Sequence, residues 1–139
     1  MADPVVLFDV DGTLVDTNYL HTVSWRRAFL DAGADVPAWR IHRMIGASSS
    51  VLIDELLGDG VDDNGTDVDP SKIKDTWRSH YESLVPEIKA FPGAADLLRA
   101  VAAEGGKVVL ATSSPGDLVE HNIDALGIDR DLLAAVTTA

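Results

Sequence analysis

Cysteine is missing from all 139 residues, so the chain has no disulfide framework, no thiolate metal site and no thiol nucleophile. Its absence is what a reducing compartment leads one to expect. Basic residues are scarce as well: 11 Lys and Arg stand against 23 Asp and Glu, a formal net charge of −12. Such a chain repels both the phosphates of a nucleic acid and an anionic membrane surface, and neither is expected as a partner. Long apolar runs are lacking too. The start reads Met1, Ala2, Asp3, Pro4 and then a short run from Val5 to Phe8, with no basic leader and nothing long enough for a signal-peptide core or a membrane span. The expected compartment is the cytoplasm. What is present, 46% hydrophobic and 24% charged residues, suits one ordinary globular domain with room for an insert.

Val5, Val6, Leu7, Phe8 and Val10 form an unalternating apolar run, the pattern of a parallel strand covered on both faces. A second run, Val108 to Ala111, follows Gly105 and Gly106 and passes into Thr112, Ser113 and Ser114. A third candidate strand holds Ala135, Val136, Thr137 and Thr138. Between the second and third, Ser114 and Pro115 read as N-cap and first helical residue. Val119, Ile123 and Leu126 then recur at helical spacing up to Gly127. Leu97, Leu98 and Val101 mark another helix, between Pro92 and Gly105. Strands and helices alternate as in a parallel α/β sheet, whose ligands bind at the carboxyl ends of the strands. Asp9 to Thr13 and Thr112 to Ser114 are therefore expected to open onto one crevice.

The stretch from Thr17 to Ile88 contains no convincing strand and reads as a helical insert. Trp25, Ala28, Phe29 and Ala32 share one face before Gly33; Ile41, Met44 and Ile45 lead into Gly46; Leu52, Ile53, Leu56 and Leu57 precede Gly58. Asp69 and Pro70 then open a helix carrying Ile73, Trp77, Tyr81 and Leu84. The expected division is residues 1–16 and 89–139 as α/β core and 17–88 as insert. The acidic loop from Gly58 to Asp69 invites comparison with a calcium loop. With Gly65 at the sixth position, however, the first is Gly60 and the twelfth Ser71, and two required acidic ligands are missing.

The chemistry concentrates in Asp9, Val10, Asp11, Gly12, Thr13, Leu14, Val15. An aspartate pair at a strand end also serves as a turn or cap, but one placed after a buried strand and before Gly12 can divide labour. One carboxylate attacks phosphorus while the other gives a proton to the departing oxygen and takes one from water. An attacking carboxylate and a phosphate repel by about 4 kcal/mol per charge pair at 4 Å and an effective dielectric near 20, so a cation is needed. Magnesium suits the task, because it takes hard oxygen ligands and shares them with phosphate. At the second strand end, hydroxyls and amides of Thr112 to Ser114 lie near a helix start and suit phosphate oxygens.

Asp9, Val10, Asp11, Gly12, Thr13, Leu14, Val15 resembles the first motif of the haloacid dehalogenase superfamily, and Leu110, Ala111, Thr112, Ser113 resembles its second. Order and spacing are similar to the members with a helical cap after the first strand, the phosphoglycolate phosphatase and β-phosphoglucomutase relatives. The resemblance implies a Rossmann-like parallel-sheet core with an inserted helical cap, and a magnesium-dependent phosphatase acting on a small phosphorylated metabolite. It further implies Asp9 as the nucleophile that forms an aspartyl phosphate and Asp11 as general acid and base. Magnesium is then held by Asp9 and by the main-chain carbonyl of Asp11, and substrate by Thr112, Ser113, Gly12 and His21. A dehalogenase typically lacks the second aspartate, so Asp11 favours phosphate chemistry. The family's third and fourth motifs, a lysine and acidic metal ligands, are not found, and no lysine follows Lys107. The core is therefore expected to be incomplete at its carboxyl end.

Other readings stay open at this level: a phosphomutase, a phosphoacceptor signalling domain, or a noncatalytic fragment. Arg40 and Arg43 are candidates to meet a second anionic group, but solvated arginines are the preferred reading of both.

Overall fold

A computed structural model describes residues 3–58 and 68–138. Residues 59–67, most of the acidic loop compared above with a calcium loop, lie outside the described residues. In chain order the elements are β1 (Val5–Asp9), α1 (Asn18–Asp31), α2 (Ala38–Met44), α3 (Ser49–Leu57), α4 (Pro70–Leu84), α5 (Ala94–Ala103), β2 (Lys107–Ala111), α6 (Gly116–Leu126) and β3 (Leu133–Thr137). The chain divides into two compact units, one running to Thr17 and resuming at Glu87, the other Asn18–Pro86.

In the first unit the three strands form a parallel sheet in the order β1-β2-β3. Val6 pairs with Val108, Phe8 with Leu110 and Asp9 with Ala111, while Ala111 pairs with Thr137 on β3. The site-bearing ends of β1 and β2 are thus level. Side chains alternate across the sheet, so Val108 and Leu110 share one face, where they join Leu98 of α5 and Val119, Ile123 and Leu126 of α6 in one apolar cluster. Strands added in sequence order through right-handed crossovers place both helices on the same face.

Among the described residues the other face has less cover, and one expectation is corrected here. β1 is parallel but is not covered on both faces: it is an edge strand whose Val5 and Leu7 are 56% and 64% exposed. The apolar run reports strand type, but cover depends on how many crossovers pass on each side. Ser114 also departs from its expected place. The residue capping α6 is Pro115, which has no side-chain cap bond, and the Ser114 hydroxyl is spent elsewhere.

In the helical unit, α1 packs along α4. Ile73, Trp77, Tyr81 and Leu84 are the buried residues of α4, at the predicted spacing. Trp25 and Trp77 stack at 4.9 Å between ring centroids, and His21 lies nearly flat on Tyr81 at 4.3 Å. Asp69 opens α4, with its carboxylate accepting from the Ser71 hydroxyl at 2.7 Å and the Ser71 amide at 2.9 Å. No described helix is long and apolar enough to cross a membrane.

Two outcomes follow. Leu110, fully buried at the centre of the sheet, loses its cluster contacts in Leu110→Ala, and denaturant titration should show a loss of about 2–5 kcal/mol. The bonds from the Ser71 hydroxyl and amide hold the Asp69 carboxyl below its ordinary value. A depressed folded value means that the contribution is complete above the unfolded value and is lost as pH falls through the folded one. The Tm deficit of Asp69→Ala should therefore be present at neutral pH and vanish in strong acid, as read by circular dichroism.

Candidate active site

Beyond Asp9 the chain curls tightly. The Val10 carbonyl accepts the amides of Thr13, Leu14 and Val15 at 3.2, 2.9 and 3.2 Å, and the Gly12 amide reaches back to the Val15 carbonyl at 2.9 Å. Gly12 has φ +73°, a left-handed conformation that a side chain disfavours. The curl is tied to the residues leading into α5, where Phe91 donates its amide to the Leu14 carbonyl at 2.9 Å.

This turn puts the two aspartates in different surroundings. Asp9 is exposed at the strand end, and its Oδ2 accepts the Thr13 hydroxyl at 2.9 Å. Asp11 is half-buried and accepts from several segments at once. Thr17 donates its hydroxyl to Oδ1 at 2.7 Å, and Asn122 its amide to the same oxygen at 3.5 Å. Thr112 and Ser114 donate their hydroxyls to Oδ2 at 2.8 and 3.0 Å. The Ser114 amide in turn donates to Thr112 Oγ1 at 3.0 Å, fixing that hydroxyl as donor toward Asp11. Four side-chain donors thus meet this one carboxylate, two on each of its oxygens.

The structure thus brings Asp9, Asp11, Gly12 and Thr112 to one strand-end neighbourhood, with Ser113 exposed in the same loop as Thr112. His21 lies in the helical unit, 7% exposed within its aromatic stack. Arg43, also there, sits over the Trp39 ring at 5.1 Å. Thr17 and Asn122 were not singled out as site residues from the sequence, and Ser114 was read there as a phosphate-side hydroxyl or helix cap, not as a donor to Asp11. Asn122 did carry a signal, as a polar residue within the apolar stripe of α6.

Among the described residues no group of three or more His, Asp or Glu side chains converges on a metal position. The Asp9 carboxylate is exposed at the strand end. It is a hard oxygen donor with room beside it for water and phosphate, which fits magnesium, an ion that commonly keeps waters and uses one or two carboxylates with substrate oxygens.

Residues 6–139 match the haloacid dehalogenase-like hydrolase family. The chain belongs to that family. Among related proteins, this hydrolase-family chain is 29% identical over 132 residues to a phosphoglycolate phosphatase of Colwellia psychrerythraea, covering 91% of the chain and 58% of the relative. It is 31% identical over 138 residues to a phosphoglycolate phosphatase of Cereibacter sphaeroides, covering 96% and 61%. The crystal structure of a hydrolase from Pseudomonas syringae superposes with a TM-score of 0.83 at 30% identity, over 99% of this chain and 61% of that one. The chain therefore spans about three fifths of the length of the proteins it matches.

The two aspartates should respond differently to truncation. Asp11→Ala removes the common acceptor of Thr17, Thr112, Ser114 and Asn122 and should lower stability by about 1–3 kcal/mol. Asp9→Ala frees one exposed hydroxyl and should stay within about 0.5 kcal/mol. Parallel urea titrations check the contrast.

Proposed function

We propose that this chain is a magnesium-dependent phosphatase of small phosphorylated metabolites, working through an aspartyl phosphate on Asp9. The observation that carries the reading is the contrast between two aspartates one residue apart: Asp9 exposed and lightly held, Asp11 enclosed by donors. Pairs of carboxyl groups in unlike environments are how acid and nucleophile roles are separated. The match to two phosphoglycolate phosphatases supports phosphoric monoesters as the substrate class, with 2-phosphoglycolate the first to test.

In this reading an Asp9 oxygen bonds to phosphorus as the ester P–O bond breaks, and protonated Asp11 gives its proton to the departing oxygen. Water then loses a proton to the Asp11 carboxylate and attacks phosphorus, releasing inorganic phosphate and free Asp9. The Thr112 hydroxyl and the Ser113 amide hold phosphate oxygens, and Gly12 permits close backbone approach. The Thr112 hydroxyl is donated to Asp11 in this structure, so phosphate binding exchanges one acceptor for another. Magnesium, held by Asp9 and the Asp11 carbonyl, supplies charge neutralisation between nucleophile and phosphate. Residues 17–88 are the helical cap insert of this reading, and the cytoplasm is the working compartment. His21 is the member of the proposed substrate set whose ring is already engaged, by Tyr81.

Incubating the chain with magnesium and 2-phosphoglycolate should release inorganic phosphate, whereas a phosphomutase would yield an isomer from a sugar phosphate. Asp9→Asn should drop release by roughly 10³-fold or more and abolish acid-stable label from a radioactive substrate. Undiminished turnover in that variant would overturn the assignment of Asp9.

A further inference from the structure

The buried face of α6 is Leu118, Val119, Asn122, Ile123 and Leu126, and Asn122 is the only polar member of that face. It is 1% exposed. Its Nδ2 faces Asp11 Oδ1 at 3.5 Å, while its own Oδ1 is buried without a hydrogen-bond partner. Exchanging the ends of the amide would set a carbonyl oxygen against a carboxylate, so the chemistry fixes the orientation. Half of this side chain is therefore a standing cost, which a leucine of similar size would remove. A polar group in a core position calls for a use, and among the described residues the only partner the geometry offers it is Asp11.

We propose that Asn122 is a positioning residue for the Asp11 carboxylate. Thr17, Thr112 and Ser114 donate through hydroxyls, which rotate about their C–O bonds and can turn to another acceptor such as phosphate. A planar amide on a buried helix face has no such freedom. Asn122 holds Asp11 Oδ1 in place when the hydroxyls on the other oxygen are redirected, and so keeps the acid aimed while substrate occupies Thr112. The positioning rests on geometry alone; its catalytic consequence rests on the phosphatase reading.

The test uses the full chain labelled with ¹³C at aspartate carboxyls, the Asp11 resonance being the one lost in Asp11→Asn. Asn122→Leu and Asn122→Ala are compared with the parent by this signal, by Tm and by steady-state hydrolysis of 2-phosphoglycolate with magnesium. The expected result is a displaced or broadened Asp11 resonance in both variants, with Tm unchanged or raised in Asn122→Leu. In turnover, kcat should fall roughly tenfold with KM nearly unchanged, a part of the about 10²–10⁴ that a placed general acid supplies. An Asp11 resonance unmoved in both variants overturns the proposal, and a lowered Tm with that signal unmoved assigns Asn122 to packing alone. A displaced resonance in a chain whose parent releases no phosphate upholds the positioning and counts against the phosphatase reading.

Discussion

One carboxylate does most of the joining at the carboxyl ends of the strands. Asp11 accepts from Thr17 on its own loop, from Thr112 and Ser114 after β2, and from Asn122 on α6, partners up to 111 residues away in sequence. Each of those donors, withdrawn from water, needs an acceptor, and Asp11 is the acceptor they share. The parallel ladder sets β1 level with β2, and Asp11 then fixes how the two loops beyond them meet. Removing the shared acceptor leaves several donors unpaired at once, which is why such a network is worth more intact than its bonds taken singly.

The same arrangement separates the two aspartates without any difference in their chemistry. The curl around the Val10 carbonyl, permitted by Gly12, leaves one carboxylate at the exposed strand end and carries the next among donors. In the phosphatase reading, the exposed carboxylate is the one accessible to a phosphate and to a hard ion. The enclosed carboxylate is held in one orientation, the property required of a group that must meet a particular oxygen. In the same reading, Asp11 exchanges one of its donors for the proton it carries. Hydroxyl donors make that exchange inexpensive, since rotation about one bond releases them.

Much of this was legible beforehand, for reasons that can be traced to particular residues. Asp69 and Pro70 marked the start of α4 because a side-chain cap and a fixed proline φ act locally, and the spacing of Ile73, Trp77, Tyr81 and Leu84 follows from helix geometry alone. Asp9, Asp11, Gly12 and Thr112 were legible because short-range chemistry dictates what can stand at a strand end. Thr17 and Asn122 were not, since nothing in the residues beside them names Asp11 as their partner. Ser114 shows the ambiguity: a serine before a proline is a good helix cap, yet its hydroxyl found a carboxylate across the fold. The edge position of β1 was missed because periodicity reports a strand's composition and not how many neighbours it has.

That edge position clarifies which parts of the site depend on which parts of the fold. Both helical crossovers join one cluster with Val108 and Leu110, so the opposite face, with Val5 and Leu7, contributes little burial. Among the described residues no strand pairs with the outer side of β1. The donors to Asp11 come instead from the β1 loop, the β2 loop and α6, all of them joined to the covered side, where Val10, Leu14, Val15, Val119 and Ile123 are buried together. The site is therefore anchored through the apolar cluster beneath it and is largely independent of whatever covers the other face.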